Sequence, residues 1–346
     1  MTTDVLPPGF TGEAFPEVFT KPPEQPKVKK AGQLTKAQID EYFDKGFLLV
    51  ENFFDSAELE PSRAAINDLV SDVASKLYKA GKISSLYEDF GFEKRLIELE
   101  KAWPGAVMLL LKQGKLPQAF RDLWSHERLL NVVEQLVGPE VSAHAVWTLR
   151  PKAPGHAETL VPWHQDSGYF DSDTYSTHIV TAWIPFVNAT KENGCLEFTP
   201  GGHKKGLTAV HKLTENFYIT LDEKELVTRL GLDMSKNVIV EAPLGSIVLF
   251  SNIIPHRSIP NMTDSIRWSI DFRWQDSGKP WGYFGLKKGM PLRSEADPDM
   301  KPDWDEYDKA DRFHLEKQCE EDEPKDEFDV NIDSGPWKAK WQIPES

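Results

Sequence analysis

His164 and Asp166 stand two residues apart, and His256 lies 92 residues beyond His164, followed eleven positions later by Arg267. Side chains of a β-strand alternate with period two, so a strand through 159–166 puts the His164 imidazole and the Asp166 carboxylate on one face. A second histidine from a distant strand completes two histidines and one carboxylate on one side of a metal. That donor set leaves coordination positions open and is the arrangement of non-haem Fe(II) oxygenases. A His-x-Asp pair alone is weak evidence, because the chain has nine histidines, and any of His126, His144, His156, His178, His203, His211 or His314 could be a decoy. The surrounding pattern strengthens it. Val161-Pro162-Trp163 makes a stiff approach to His164, and Gly245 to Phe250 reads as a buried strand leading to His256.

Arg267 lies on the cleanest alternating stretch of the chain. Ile266, Trp268, Ile270, Phe272 and Trp274 form an apolar face, with Ser265, Arg267, Ser269, Asp271 and Arg273 opposite. The plain interpretation is a half-buried strand with a solvated polar face. In a barrel the polar face lines a cavity instead, where a guanidinium needs a planar anion and holds a carboxylate through two parallel hydrogen bonds that a lysine cannot reproduce. Beside an iron site, such an arginine suits the distal carboxylate of a dicarboxylic co-substrate. Tyr169 and Phe170 follow the metal motif and are placed either to touch substrate or simply to pack. Lys204 and Lys205 suit either an anionic group such as a CoA phosphate or a solvated turn. Cys195 reads as a small hydrophobe.

The elements that must position these groups fall into two regions. Residues 1–33 read as an irregular, proline-rich arm. Thr35-Lys36-Ala37-Gln38 has capping-box spacing for a helix that stops near Gly46, and Phe47 to Val50 is a short apolar strand. A long helix from about Ser56 to Gly81 carries Ile66, Leu69, Val70, Val73 and Leu77 on one stripe, and another carries Leu129, Val132, Val133 and Leu136. Past Pro139 the runs are strand-like: 141–150, 159–166, 178–187, 195–198, 237–241, 246–251 and 265–274. Helices first and strands later predict a mainly β fold, a sandwich or barrel core buttressed by N-terminal helices. The segment 212–236 reads as a helical insertion or lid. From Pro291 onward no strand is evident, although Trp304, Phe313, Trp337 and Trp341 argue against full disorder. The expected organisation is an arm over 1–33, one domain over 34–290 and an acidic extension over 291–346.

The net charge of −15 disfavours a nucleic-acid partner, and its distribution adds to that. Residues 295–346 hold 18 acidic and 7 basic side chains, a balance of −11 that leaves only −4 for the rest. A solubilising tail is the plain interpretation. No apolar run reaches membrane-spanning length, no secretory signal is evident at the N-terminus, and two cysteines, Cys195 and Cys319, make no disulfide framework. The expectation is a cytoplasmic protein with no membrane partner, monomeric or homodimeric.

The region from about 35 to 275 resembles the phytanoyl-CoA dioxygenase (PhyH) family of Fe(II)/2-oxoglutarate oxygenases. The matching segments are Pro162-Trp163-His164-Gln165-Asp166, Ala182-Trp183-Ile184-Pro185, Glu192-Asn193-Gly194-Cys195-Leu196, Pro200-Gly201-Gly202-His203-Lys204 and the stretch Gly245 to Arg267. Gly202 and Ser246 depart from the family's usual Ser or Thr and Asp. The resemblance implies a double-stranded β-helix (jelly-roll, cupin-like) core with iron on His164, Asp166 and His256. It implies 2-oxoglutarate chelating that iron, Arg267 on its far carboxylate, Ser258 assisting, Trp183 lining the pocket, and Lys112 as a loosely aligned further contact. It also implies use of O2, release of succinate and CO2, and oxidation of a small-molecule or acyl-CoA substrate. Retention of Asp166 favours hydroxylation, desaturation or ring closure over halide transfer. The alternatives are a non-catalytic sensor module on the same fold, a cupin-like enzyme with another metal, or a protein-modifying hydroxylase.

Overall fold

The computed structural model describes residues 9–216, 218–309, 327–330 and 335–341. Twelve strands among them are β1 (Phe47–Val50), β2 (Val141–Ala143), β3 (Thr148–Lys152), β4 (Val180–Pro185), β5 (Leu196–Phe198), β6 (Lys212–Leu213), β7 (Ile219–Thr220), β8 (Val238–Val240), β9 (Ile247–Ser251), β10 (His256–Ser258), β11 (Arg267–Asp276) and β12 (Met290–Arg293). A major sheet runs β1-β9-β4-β11-β2-β12, with β3 also paired to β11, and a minor sheet runs β10-β5-β8. Every pairing is antiparallel. The two sheets make the double-stranded β-helix core, open rather than closed into a barrel.

The major sheet is buried on both faces, which is why β4, β9 and β11 carry almost no exposed residue. Its outer face (Ile184, Leu249, Trp268, Ile270, Phe272) packs under the helices, and its inner face (Trp183, Val248, Phe250) meets Leu196, Phe198 and Ile254 of the minor-sheet side. The helical layer forms as the spacing predicts. Thr35 caps Lys36–Lys45 with a full capping box, and Gly46 ends it at φ +87°, where a Cβ would lie 2.5 Å from His203 Nδ1. Helix Ser56–Lys79 buries its whole predicted stripe. Trp124, from helix Gln118–Trp124, stacks on Phe272 at 5.0 Å and fixes the helices to β11. Truncating a tryptophan so enclosed costs about 3–5 kcal/mol.

Several expectations are corrected. The stretch 141–150 is two strands, because β2 and β3 pair with successive parts of β11 and the chain must turn between them. The stretch 159–166 is not a strand. His164 makes a single bridge to His256, and a 3-10 turn begins at Asp166. Residues 212–236 hold a two-stranded hairpin and two short irregular helical turns rather than one helical insertion. A strand does form at Pro291, at the edge of the major sheet against β2, so the sheet continues past residue 290. Proline is tolerated at an edge, where its missing N–H is not required by a further neighbour. Helices Arg95–Ala102, Ala106–Leu111 and Gln118–Trp124 are additions that the sequence pattern did not announce. Phe313, His314 and Cys319 lie outside the described residues.

Candidate metal centre and adjoining cavity

His164 and His256 are joined by backbone hydrogen bonds in both directions, His164 N to His256 O at 3.0 Å and the reverse at 2.9 Å. This bridge extends the minor sheet by one residue and sets the two imidazoles side by side, 4.2 Å between centroids. The following turn swings Asp166 back beneath them. Its Oδ1 lies 3.4 Å from His164 Nε2 and 4.0 Å from His256 Nε2. Among the described residues this is the group of His, Cys, Asp and Glu side chains whose donor atoms converge closely enough for a metal, all within 4.8 Å of one another.

The remaining atoms of each side chain are committed elsewhere in the way a metal centre requires. His164 Nδ1 faces the Pro162 carbonyl at 2.8 Å, and His256 Nδ1 faces the Ile254 carbonyl at 3.0 Å. Each carbonyl selects the tautomer with its proton on Nδ1 and leaves the Nε2 lone pair for the metal. Asp166 Oδ2 accepts from Thr181 Oγ1 at 3.0 Å and Arg273 Nε at 2.9 Å, so Oδ1 alone is presented. Burial pushes the His256 pKa down to about 3, with His164 beside it adding to the fall. Burial alone would raise Asp166, yet the Arg273 guanidinium beside it holds it well below the usual carboxylate range. Neutral imidazoles and an ionised carboxylate are the states that bind a divalent cation. The residues present therefore fit Fe(II).

Gln165 fixes the motif between its two ligands. Its Nε2 donates to the Leu207 and Ile253 carbonyls, its Oε1 accepts from Ala209 N, and its own N–H donates to His211 Nε2. Three of the other histidines are engaged elsewhere: His126 caps a helix, His203 meets the Phe43 carbonyl and His178 meets the Tyr42 hydroxyl.

A cavity of about 200 Å³ opens beside the two histidines, and Arg267, Trp183 and Ser258 line it. Arg267 is 2% exposed, its guanidinium 5.0 Å from the Trp183 ring centroid, and NH1 donates to Ser269 Oγ. The polar face of β11 is thus interior, with Ser269, Asp271 and Arg273 all buried, and the solvated-face interpretation fails. Lys112 is not brought to the cavity. It caps helix Ala106–Leu111 and its Nζ donates to the Asp329 carbonyl at 2.7 Å, while its neighbour Leu111 does line the wall. Tyr169 and Phe170 go to packing, Tyr169 edge-on to His164 at 5.6 Å and Phe170 against Ala145, Ile179 and Tyr283. Lys204 pairs with Asp44, Lys205 donates to the Arg229 carbonyl, and Cys195 is packed in the inner core.

Three site residues escaped the sequence reading. Arg273 shares the alternating face of Arg267 and was findable there as a partner for a buried carboxylate. Lys152 and Arg150 sit on β3, where an irregular stretch hid the alternation. Gly202, a departure from the family pattern, packs so tightly that a Cβ would lie 2.6 Å from Thr199 Oγ1 and 2.8 Å from Pro255 Cδ.

The phytanoyl-CoA dioxygenase (PhyH) family model matches residues 42–269. A 1-deoxypentalenic acid 11-beta-hydroxylase from Streptomyces arenae is 31% identical over 176 residues, which are 48% of this chain and 60% of that enzyme. A phytanoyl-CoA dioxygenase domain-containing protein 1 homolog from Dictyostelium discoideum is 23% identical over 267 residues, 71% of this chain and 93% of the relative. Among solved structures, the non-heme monooxygenase ThoJ in its apo form superposes with a TM-score of 0.54 at 18% identity, covering 80% of this chain and 96% of that one, a likeness of fold.

Proposed function

Because this chain belongs to the phytanoyl-CoA dioxygenase family, we propose that it is a non-haem Fe(II)- and 2-oxoglutarate-dependent dioxygenase that hydroxylates a small molecule with release of succinate and CO2. One observation carries the reading: a single cavity is bordered by His164 and His256 at one side and by the buried, cationic Arg267 at another. His164, Asp166 and His256 hold the iron. Arg267 takes the far carboxylate of 2-oxoglutarate in a bidentate grip, with Ser258 beside it and Trp183 as a flat wall. Bound iron supplies the oxygen chemistry, and the protein supplies orientation and a water-poor enclosure. Thr181 and Arg273 keep Asp166 ionised and aimed. Lys112 is left out of this assignment because its ammonium is occupied at Asp329.

A small free metabolite is favoured over an acyl-CoA ester. The lysines that might have met CoA phosphates are held in other contacts, Lys204 by Asp44 and Lys205 by a backbone carbonyl. The hydroxylase from Streptomyces arenae is named for a small-molecule substrate, which supports the same class.

The test is an anaerobic visible spectrum of the apo-protein given Fe(II) and then 2-oxoglutarate, beside Arg267→Ala. A weak charge-transfer band that requires both additions, and more co-substrate in the variant, is the expected result. Absence of the band from folded, iron-bound protein overturns the proposal.

A further inference from the structure

Lys152 and Arg267 face each other as direct partners across β3 and β11, and both line the cavity. Each is 2% exposed. Burying one cation without a counter-ion is unfavourable, and burying two side by side is more so, unless an anion joins them. Among the described residues, none of the carboxylates forms an ion pair with either. Asp271, the acid nearest in the cavity wall, is bonded by Arg150 at 2.8 Å and approached by Arg273 at 3.7 Å. The wall therefore carries Arg150, Lys152 and Arg267 against Asp271 alone. Its basic groups outnumber its acids by two, a wall suited to an anion.

Local hydrogen bonds fix the direction of the Lys152 side chain. An ammonium has three donors, and two are used, at 2.8 Å to Ser258 Oγ and 3.0 Å to the Thr159 carbonyl. Beside it on the same sheet, Arg267 Nε is buried with no partner. Donors thus remain on both cations, next to a cavity, and Ser258 ties the lysine to the metal-bearing strand β10.

We propose that Lys152 is a second anchor for the far carboxylate of the co-substrate, standing beside Arg267 and held in position by Ser258. The inference rests on the 2-oxoglutarate reading above and adds a residue to it. It also has a consequence for protons. The groups around the Lys152 ammonium are Arg267 and Asp271 from β11, Arg150 from its own strand, the Ser258 hydroxyl, the Thr159 carbonyl, and near Arg267 the Cys195 thiol, which burial pushes up to about 12 and so keeps neutral. Burial, then Arg267, then Arg150, push Lys152 down to about 6. With the cavity free of an anion, the amine is mostly neutral at pH 7.5. An arriving carboxylate favours the charged form, so one proton is drawn from solvent as the ligand binds. Affinity then falls as pH rises above about 6, and below that the proton is already in place.

The experiment is anaerobic titration calorimetry of the Fe(II)-loaded protein with 2-oxoglutarate at pH 7.5, in two buffers of different ionisation heat. Wild type is expected to take up close to one proton per ligand. Lys152→Met is expected to lose the uptake and bind about tenfold more weakly or worse, as for loss of one charge-assisted hydrogen bond. Lys152→Arg, charged at all pH values, is expected to retain binding with no uptake. Binding of 2-oxobutanoate, which lacks the far carboxylate, is expected to be indifferent to either substitution. Unchanged affinity and uptake in Lys152→Met, with binding still weakened in Arg267→Ala, overturns this inference alone. Persistent uptake in Lys152→Arg also overturns it. Failure of wild type to bind 2-oxoglutarate overturns the functional reading as well.

Discussion

Arg273 Nε donates to Asp166 Oδ2 at 2.9 Å, so one oxygen of the carboxylate is held by a buried arginine while the other faces two histidines. The arginine comes from the centre of β11 and the aspartate from a turn more than a hundred residues earlier. This contact ties the longest of the described strands to the one metal ligand that sits on a turn.

Substitution of Arg273 is expected to weaken metal binding without touching a metal donor. In Arg273→Met the Asp166 carboxylate keeps only the Thr181 hydroxyl on its outer oxygen, and its rotation is no longer opposed. Loss of a partner that orients a metal ligand typically costs about 10–100-fold in affinity. Arg273→Lys, which restores the charge but only a point donor, is expected to recover part of it. Competition with a fluorescent chelator measures both, and equal iron affinity in wild type and Arg273→Met would show that the pair serves only the packing of β11.

Metal binding itself has a stability signature. The three donors belong to separate segments, the bridge at 164, the turn at 166 and β10, and an ion joins them only in the folded chain. Mn(II), a redox-quiet substitute, at about 100 times its dissociation constant is expected to stabilise the protein by about 2.7 kcal/mol. His256→Ala is expected to remove this gain. A thermal melt with and without Mn(II) reads the difference, and an identical shift in the variant would place the stabilising ion elsewhere.

How far the site can be read from sequence depends on how local its geometry is. His164, Asp166, His256 and Arg267 are legible as a set because their chemistry is distinctive, yet the reason they meet is only partly so. Period-two alternation puts His164 and Asp166 together on paper. In the structure a bridge followed by a 3-10 turn does so, a change of path that the side-chain pattern of six residues does not encode. The β11 face is legible as alternation, whereas its burial is not, since Ser269, Asp271 and Arg273 look the same in sequence whether they face water or a cavity. Lys152 was hidden because Thr148–Lys152 includes Arg150 and Pro151 and lacks an apolar rhythm. Lys112 failed for a related reason: alignment by position alone carried no information about Asp329, which reaches it from across the chain.

Acid sensitivity follows from buried histidines that are not metal ligands. Burial pushes His144 down to about 3 and His203 to about 4, and holds His211 well below its ordinary value. Each is neutral in the folded state and takes up a proton on unfolding below about pH 6.5. A depressed folded pKa contributes stability that is present above the unfolded value and lost as pH falls toward the folded one. Each such histidine thus withdraws up to about 1.4 kcal/mol per pH unit in that window. Urea midpoints of the apo-protein between pH 7.0 and 4.5 are expected to fall, and His203→Gln is expected to flatten the slope by about one proton. A pH-independent midpoint would mean that these rings are charged in the folded protein.

The acidic C-terminal extension reaches the site from outside the cavity. In helix Trp337–Trp341, Trp341 Nε1 donates to the Gly168 carbonyl at 2.5 Å and Lys340 Nζ to the Phe170 carbonyl at 2.7 Å. Trp337 packs edge-on to Tyr169 at 5.2 Å, and Tyr169 packs on His164 in the same manner. The helix therefore clamps the turn that carries Asp166. Trp341 is 1% exposed, and truncating it to alanine is expected to cost about 3–5 kcal/mol of stability. If the clamp also sets the turn, a chain ended after residue 334 binds Mn(II) more weakly than wild type at a temperature where both are fully folded. Chelator competition beside circular dichroism checks this. A truncated protein that melts earlier but binds Mn(II) with unchanged affinity would confine the helix to stability and leave the ligand turn to Gln165 and Arg273.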